Sequence, residues 1–483
     1  MRVGIVGGGI TGLSAAYALE HEPVDTVLFE SSSRSGGKVQ TDYLVHLVLE
    51  RGPDALFVRS SFALDLLAEL GLGDEVVRAD PHHRKTTILR GGRFHPLPEG
   101  MESGIPRSIW PMATTRLLSP LGKARAAAEL LLPKANTGGA DESVDSFIRR
   151  RFGAEVAERV AAPLLGAIYT NDTRRLSLMA TVAHLRAYEQ EHGSLLLASL
   201  RGRLPGVRPT AQGQPAPSPF VALRGGLTRL IERLQAGAAR TDMRVNTSVV
   251  SIVPIAGGYD LGLSTGHHEA VNRVILATPA FVTADLVESL SPGAAAGLRR
   301  IRYASATVIA LAYAASTHLE VPAGSSGFLV SPGERSNMAA CSWTSRKWPH
   351  SAPGGELVVR CHLHPDEKPW LSDMNDPALI ESVRAELREL VGLDAEPILS
   401  RVYRWPRSIP SYDVGHRERV RAIEAAIQAF PGLLLAGAGY HGVGLPDCLW
   451  QGVEAANKCC SERMPGINGS ASAGASSAEA HCN

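Results

Sequence analysis

The apolar positions fall into short blocks separated by glycine-rich or charged breaks, the layout of strands and helices taken in turn. Arg2 to Val6 is mostly apolar, as a strand covered on both faces of a parallel sheet would be. An alanine-containing helix follows over Leu13 to Glu20, and Thr26 to Glu30 predicts the next strand. Tyr43 to Phe57 reads as two extended segments around Glu50-Arg51-Gly52-Pro53-Asp54-Ala55, where Gly-Pro predicts a rigid turn. An ordinary hairpin fits the same pattern. Ser60 or Ser61 is placed to cap a short amphipathic helix that Gly71 stops. Thr86 to Leu97 predicts a strand pair turning at Gly91-Gly92.

Asp141 to Ile168 and Ser177 to Leu200 carry helical periodicity. Gly202 to Phe220, with five prolines among small polar residues, predicts a flexible surface connection. Phe220 to Leu227 restarts a strand-turn-helix, and Met243 to Val253 and Arg273 to Ala277 are expected to return to the first sheet. A strand-rich region spans Ile301 to Tyr403, with helices near Pro292–Arg300 and Pro377–Val391. The last unit is Leu433 to Tyr440 and a helix from Pro446, a residue suited to the first helical turn, to about Cys460. Beyond Pro465 the chain is Gly, Ser and Ala with few apolar anchors, a composition expected to be disordered.

Composition narrows the classes. A chain of 483 residues accommodates two or three domains, and 49 Lys and Arg against 48 Asp and Glu leave no global field favouring nucleic acid. The six cysteines show no paired C-x-x-C or zinc-spaced histidines, so no metal site is expected, and their scatter fits a reduced compartment. The first strand begins at the N-terminus and no apolar run is long enough to cross a bilayer, so the expectation is cytoplasmic, or peripheral to a membrane. Ser103 to Lys134 alternates basic residues (Arg107, Arg116, Lys123, Arg125, Lys134) with leucines and Trp110. Such a segment either packs inward or lies on an anionic membrane surface.

The chemistry is concentrated at the two ends of the chain. Gly7, Gly9 and Gly12 stand at G-x-G-x-x-G spacing between strand and helix: the first for a tight turn, the second for approach of backbone to a pyrophosphate, the third for helix–strand contact. Glu30 ends the next strand 23 residues after Gly7, where a carboxylate accepts hydrogen bonds from an adenosine ribose. Arg34-Ser35-Gly36-Gly37-Lys38 resembles the extension that flavoproteins with two dinucleotide-binding domains carry after the ribose acid, which points to FAD. Near the other end, Gly437, Gly439, Gly442 and Gly444 precede a helix N-terminus that would face a ligand and stabilise negative charge on it.

The order of further motifs resembles the flavin amine oxidase superfamily and, within it, the oxygen-dependent porphyrinogen oxidases of haem synthesis. The motifs include Glu50 to Asp54, His95-Pro96-Leu97-Pro98, Leu118 to Lys123, Pro163 to Tyr169, Glu191 to Leu195, Arg404-Trp405-Pro406 to His416, and Gly442 to Cys448. The resemblance covers Arg2 to about Glu462. It implies an α/β fold: a Rossmann-like FAD-binding domain from 1–83, 220–290 and 430–463, a helical insertion over 84–205, a mixed-sheet substrate domain over 291–429, a linker over 206–219 and a tail over 464–483. It also implies non-covalent FAD, a tetrapyrrole substrate losing six electrons in two-electron rounds, and hydride transfer to flavin N5 with return to dioxygen as hydrogen peroxide. A haem-pathway enzyme is an implied partner. No catalytic side chain is expected, because the flavin carries the reaction. Other superfamily oxidoreductases (amine oxidases, carotenoid desaturases) and a non-catalytic binding protein on the same scaffold remain alternatives.

Carried over by motif, the cofactor contacts are Gly7, Gly8, Gly9, Ile10, Thr11, Gly12, Glu30, Ser31, Gly36, Gly37, Lys38, Gly52, Pro53, Asp54, Ala55, Val249, Trp405, Ala438, Val443, Gly444 and Leu445. Substrate candidates are Asp54, Gly166, Ala167, Gly327, Phe328, Trp343 and Arg360, with Phe328 and Trp343 either stacking on a macrocycle or filling a core. Mitochondrial-type members carry an arginine where Thr86 stands here, beside Arg84 and Lys85. That departure leaves both coproporphyrinogen III and protoporphyrinogen IX open as substrates.

Overall fold

A computed structural model describes residues 1–98, 101–102, 105–106, 109–135, 138–201 and 218–461. The expected linker over 206–219, save Ser218 and Pro219, and the tail over 464–483 lie outside the described residues, as do parts of Ser103 to Lys134, Arg107 and the Trp110 side chain among them.

The nucleotide-fold sheet has five parallel strands in the order 242–244, 25–29, 2–6, 273–276 and 433–435. The centre of this sheet is buried on both faces, which is why Val3 to Val6 and Val27 to Phe29 read as continuous apolar runs. On one face lie the helices Ile10–Leu19, Thr228–Gly237 and Leu445–Ser461. On the other lies an antiparallel sheet of 249–255, 258–263 and 268–271. The first and last helices touch closely: Ser14 Oγ donates to Leu449 O at 2.7 Å. A Cβ on Gly452 would sit 2.3 Å from Thr11 O, so only glycine permits the approach. Met243 to Val253 was expected to return whole to the first sheet; only 242–244 does, because the chain turns at Asn246 (φ 51°) and 249–255 pairs with 258–263 instead.

A seven-stranded mixed sheet runs in the order 399–410, 303–313, 357–363, 340–343, 325–330, 85–90 and 93–96. All its pairs are antiparallel except 325–330 with 85–90. Residues 85–96, read from the sequence as the start of the helical insertion, thus belong to this sheet. Their strand pair turns at Gly91-Gly92, both at positive φ, and 85–90 takes the open edge of 325–330, a long-range pairing that periodicity cannot reveal. Helix Asp376–Val391 covers one face through Leu379, Val383 and Leu387.

The helical unit between these sheets packs around Phe147, Ile148, Phe152, Val160, Leu165 and Leu185. Inside it Arg151 is fully buried against Glu129, and Ser194 Oγ and the Leu195 and Leu196 N–H groups donate to the same carboxylate. Every polar atom of that pair therefore finds a partner, the condition under which a buried ion pair is tolerated. The Tyr43–Phe57 stretch divides differently from expectation: 41–44 and 47–50 form the hairpin, turning at Val45-His46, while Gly52-Pro53 lies beyond it.

Candidate functional site

The C-terminal ends of strands 2–6, 25–29 and 433–435 converge on one edge of the parallel sheet, the edge where such folds bind ligands. Gly7, at φ 105°, donates its N–H to Phe29 O at 2.8 Å, and a Cβ on Gly12 would lie 1.9 Å from Gly7 O. The turn and the helix start are thus pressed together by two glycines. Gly9 is the opposite case: a Cβ there would meet nothing within 4 Å. Helix Ile10–Leu19 has Gly9 as its N-cap, with neither a capping side chain nor an acid in its first turn, so its positive end is left for an external anion. Thr11 lies in that first turn.

Glu30 supports the loop and keeps capacity for a ligand. Its Oε2 accepts from Gly8 N–H at 2.8 Å, its Oε1 accepts from Ser32 N–H at 2.8 Å, and Ser31 Oγ stands 3.4 Å from Oε1. Val249 opens its strand just beyond Thr247, whose N–H donates to Glu30 O at 2.8 Å. Gly36 bridges Gly9 and donates to Gly8 O at 2.7 Å, with Gly36 and Gly37 both at positive φ. The Lys38 amine has no hydrogen-bond or ion-pair partner among the described residues, and burial lowers its pKa. A half-buried lysine with no carboxylate partner among the described residues, beside an open glycine and an uncapped helix start, fits an anionic dinucleotide.

The last strand leads into Ala436-Gly437-Ala438, where Gly437 N–H donates to Gln451 Oε1 at 3.3 Å. The Tyr412 hydroxyl donates to Ala438 O at 2.7 Å and accepts from Gly442 N–H at 2.8 Å. Val443 packs toward the core of the helical unit, Gly444 N–H donates to Asp447 Oδ2 at 3.1 Å, and Leu445 opens the final helix. Burial raises the Asp447 carboxyl above its ordinary value and pushes the Cys448 thiol up to about 12, so the thiol offers no reactive thiolate near neutral pH.

The third wall comes from a loop held across sheets. Gly52 O accepts from Arg360 Nη2 at 2.6 Å, Asp54 Oδ2 lies 3.3 Å from Arg360 Nη1 and 3.8 Å from Lys347 Nζ, and Trp405 Nε1 donates to Arg51 O at 2.8 Å. A Cβ on Gly52 would sit 2.4 Å from Lys38 O, which stacks this loop on the first one. Burial alone would raise the Asp54 carboxyl, but Lys347, Arg360 and His362 outweigh it and hold it well below the usual range. Pro53 lies within this loop, and Ala55 packs on Trp348 and Ala222.

Most expected cofactor residues lie on four glycine-bearing stretches (7–12, 36–38, 52–55 and 438–445), with Glu30 and Ser31 after strand 25–29 and Val249 and Trp405 on strands, whereas the substrate candidates scatter. Phe328 and Trp343 are each 1% exposed, their rings 5.8 Å apart between centroids, with Phe94 5.2 Å from Phe328, so both rings lie in the sheet's core. Gly327 is needed because a Cβ would strike Cys341 O at 2.2 Å. Arg360 is committed to Gly52 and Asp54. Gly166 and Ala167 border a cavity of about 730 Å³ between the helical unit and the sheet. Its five basic side chains (Arg90, Arg149, Arg159, Arg174, Lys368) are matched by five acids (Asp145, Glu158, Asp172, Glu334, Glu367), and it shares no residue with the glycine loops. Sequence reasoning missed Lys347, Tyr412 and His416. The last two lie within the Trp405–His416 motif, but their partners sit over twenty residues away.

Comparison with known proteins places the whole architecture. The family described as flavin-containing amine oxidoreductase matches residues 10–460. The chain belongs to this family. Its cofactor is FAD. A curated relative from Bacillus subtilis, named coproporphyrinogen III oxidase, is 34% identical over 93% of this chain and 96% of its own length. A spinach relative named protoporphyrinogen oxidase 1, chloroplastic, is 27% identical over 94% and 83%. A crystal structure from Exiguobacterium sp. 255-15 superposes with a TM-score of 0.82 at 31% identity, covering 94% and 98%. Among the described residues of this flavin-containing oxidoreductase, no helix is long and apolar enough to cross a membrane.

Proposed function

We propose that this chain oxidises a porphyrinogen to the porphyrin, with coproporphyrinogen III as the preferred substrate. The observation that carries the reading is the end-to-end match to a relative of that name, combined with glycine loops and an acid intact at every position the dinucleotide requires. The absence of an arginine at Thr86 favours a substrate other than that of the mitochondrial-type enzymes. Bound FAD supplies a two-electron acceptor, and three rounds remove six electrons and six hydrogens.

The chain's own residues bind and orient. Gly7 to Gly12 and the start of helix Ile10–Leu19 take the pyrophosphate, Glu30 and Ser31 the ribose, and Val249 the adenine through its backbone. Lys38, Gly52 to Ala55, Trp405, Ala438 and Val443 to Leu445 enclose the flavin and exclude water, and no side-chain nucleophile is required. Dioxygen receives the electrons and leaves as hydrogen peroxide. Exposed Leu121 and Leu131, in the segment that also carries Arg116 and Lys123, make a peripheral contact with an anionic membrane. Docking with a haem-pathway enzyme would appear as co-elution with it. Liposome binding that ignores lipid charge and salt would remove the membrane contact.

The deciding experiment is an aerobic fluorescence assay offering coproporphyrinogen III and protoporphyrinogen IX separately to the purified flavoprotein. Porphyrin emission above autoxidation, faster with coproporphyrinogen III, is expected. No acceleration of either in protein that holds FAD would overturn the reading in favour of another oxidase of this family.

A further inference from the structure

The segment between strand 399–410 and helix His416–Ile427 is held on two sides at once. On one side it is fastened to the helical unit: Ser177 N–H donates to Tyr412 O at 2.8 Å, Val414 N–H to Arg175 O at 2.9 Å, and Gly415 N–H to Asp141 Oδ2 at 2.9 Å. On the other side it meets the glycine-rich loop 437–444. The Tyr412 hydroxyl bonds both Ala438 O and Gly442 N–H, and His416 Nε2 lies 3.1 Å from Tyr440 O. Tyr412 and His416 are themselves stacked, with ring centroids 3.9 Å apart and planes within 16°. Both rings are buried.

The chemistry of this pair is fixed by its surroundings. Tyr440 O only accepts, so His416 Nε2 must carry a proton. His416 Nδ1 is buried and makes no hydrogen bond, which suits the bare nitrogen of a neutral ring. Burial lowers the imidazole to about 4, in agreement. Three backbone groups within five residues (Ala438 O, Tyr440 O and Gly442 N) are thereby held by two stacked side chains. The loop carries four glycines, where backbone freedom is greatest, and alongside the Tyr440 N–H to Gly437 O turn and the Gln451 contacts these two side chains add three further backbone restraints.

We propose that Tyr412 and His416 are positioning residues that set the shape of the 437–444 loop against the flavin, and that they tie that shape to the placement of the helical unit through Tyr412 O. The proposal rests on the assignment of this loop to FAD and not on the identity of the porphyrinogen. Tyr412→Phe removes a single oxygen and leaves Ala438 O and Gly442 N without their partner, while the stack on His416 remains.

The test uses purified holoenzyme of the wild type, Tyr412→Phe, His416→Leu and His416→Gln. It reads FAD retention on dilution, the visible circular dichroism of bound flavin and the melting temperature. Tyr412→Phe and His416→Leu are expected to release FAD about tenfold more readily, the loss of one to two net hydrogen bonds, and to alter the flavin dichroism. His416→Gln, whose amide still donates to Tyr440 O, is expected to recover most of both signals. A Tyr412→Phe enzyme with unchanged retention and dichroism overturns the proposal, whether or not its melting temperature falls. Wild-type protein that binds FAD but oxidises no porphyrinogen would leave this inference standing and remove the substrate reading alone.

Discussion

Replacing Arg360 by Met tests whether that residue serves the fold or the substrate. The guanidinium is 1% exposed, donates to Gly52 O and neutralises Asp54, whose side chain is 26% exposed. Met fills similar space, so no cavity opens and the cost is electrostatic. Breaking a buried pair by removing one partner costs about 3–5 kcal/mol. Lys347 remains 3.8 Å from Asp54 and water reaches part of the carboxylate, so the expected loss is at the lower end, about 3 kcal/mol. The pH dependence has a definite sign. The Asp54 carboxyl is held below its unfolded value of about 3.9, so its contribution is fully present above that pH and fades as pH falls toward the folded pKa. Urea unfolding of the FAD-loaded protein, followed by tryptophan fluorescence, should therefore separate wild type from variant fully at pH 7 and progressively less below pH 4. A destabilisation under about 1 kcal/mol at pH 7, together with a raised KM for porphyrinogen, would refute the reasoning and put Arg360 on the substrate.

Gly12→Ala places a Cβ 1.9 Å from Gly7 O, a backbone atom that cannot yield, so a loss of about 3 kcal/mol or more and a flavin-free protein are expected; the ratio of flavin to protein absorbance reads it. Glu30→Ala removes the charged acceptor and the Gly8 brace together, and equilibrium dialysis should show FAD affinity reduced roughly 10- to 100-fold. Val45 is 93% exposed at φ 59°, a conformation β-branched residues resist; Val45→Asn should stabilise by about 1 kcal/mol in denaturant melts. Burial raises the Glu50 carboxyl to about 7, so stability falls as pH rises from its unfolded value through about 7; Glu50→Gln should flatten that slope in melting curves taken across the range.

What the sequence alone determined is what local geometry demands. A turn that brings backbone to within van der Waals contact of a helix needs Gly7 and Gly12, and a buried parallel strand needs an unbroken apolar run, so the first forty residues declare their strands, their helix and their ligand without reference to the rest. The tertiary structure alone decided what depends on residues far apart in the chain. It moved 85–96 into the large sheet because 325–330 offered an open edge, and split 242–255 between two sheets. It also set Arg360 against Gly52 and Asp54 and placed Phe328 and Trp343 in the core of the large sheet. A lone arginine or tryptophan in a strand carries no local sign of whether its far end meets solvent, ligand or another loop. Tyr412 marks the same boundary: its hydroxyl serves Ala438 and Gly442, twenty-six and thirty residues away, and only folding brings them within a hydrogen bond's length.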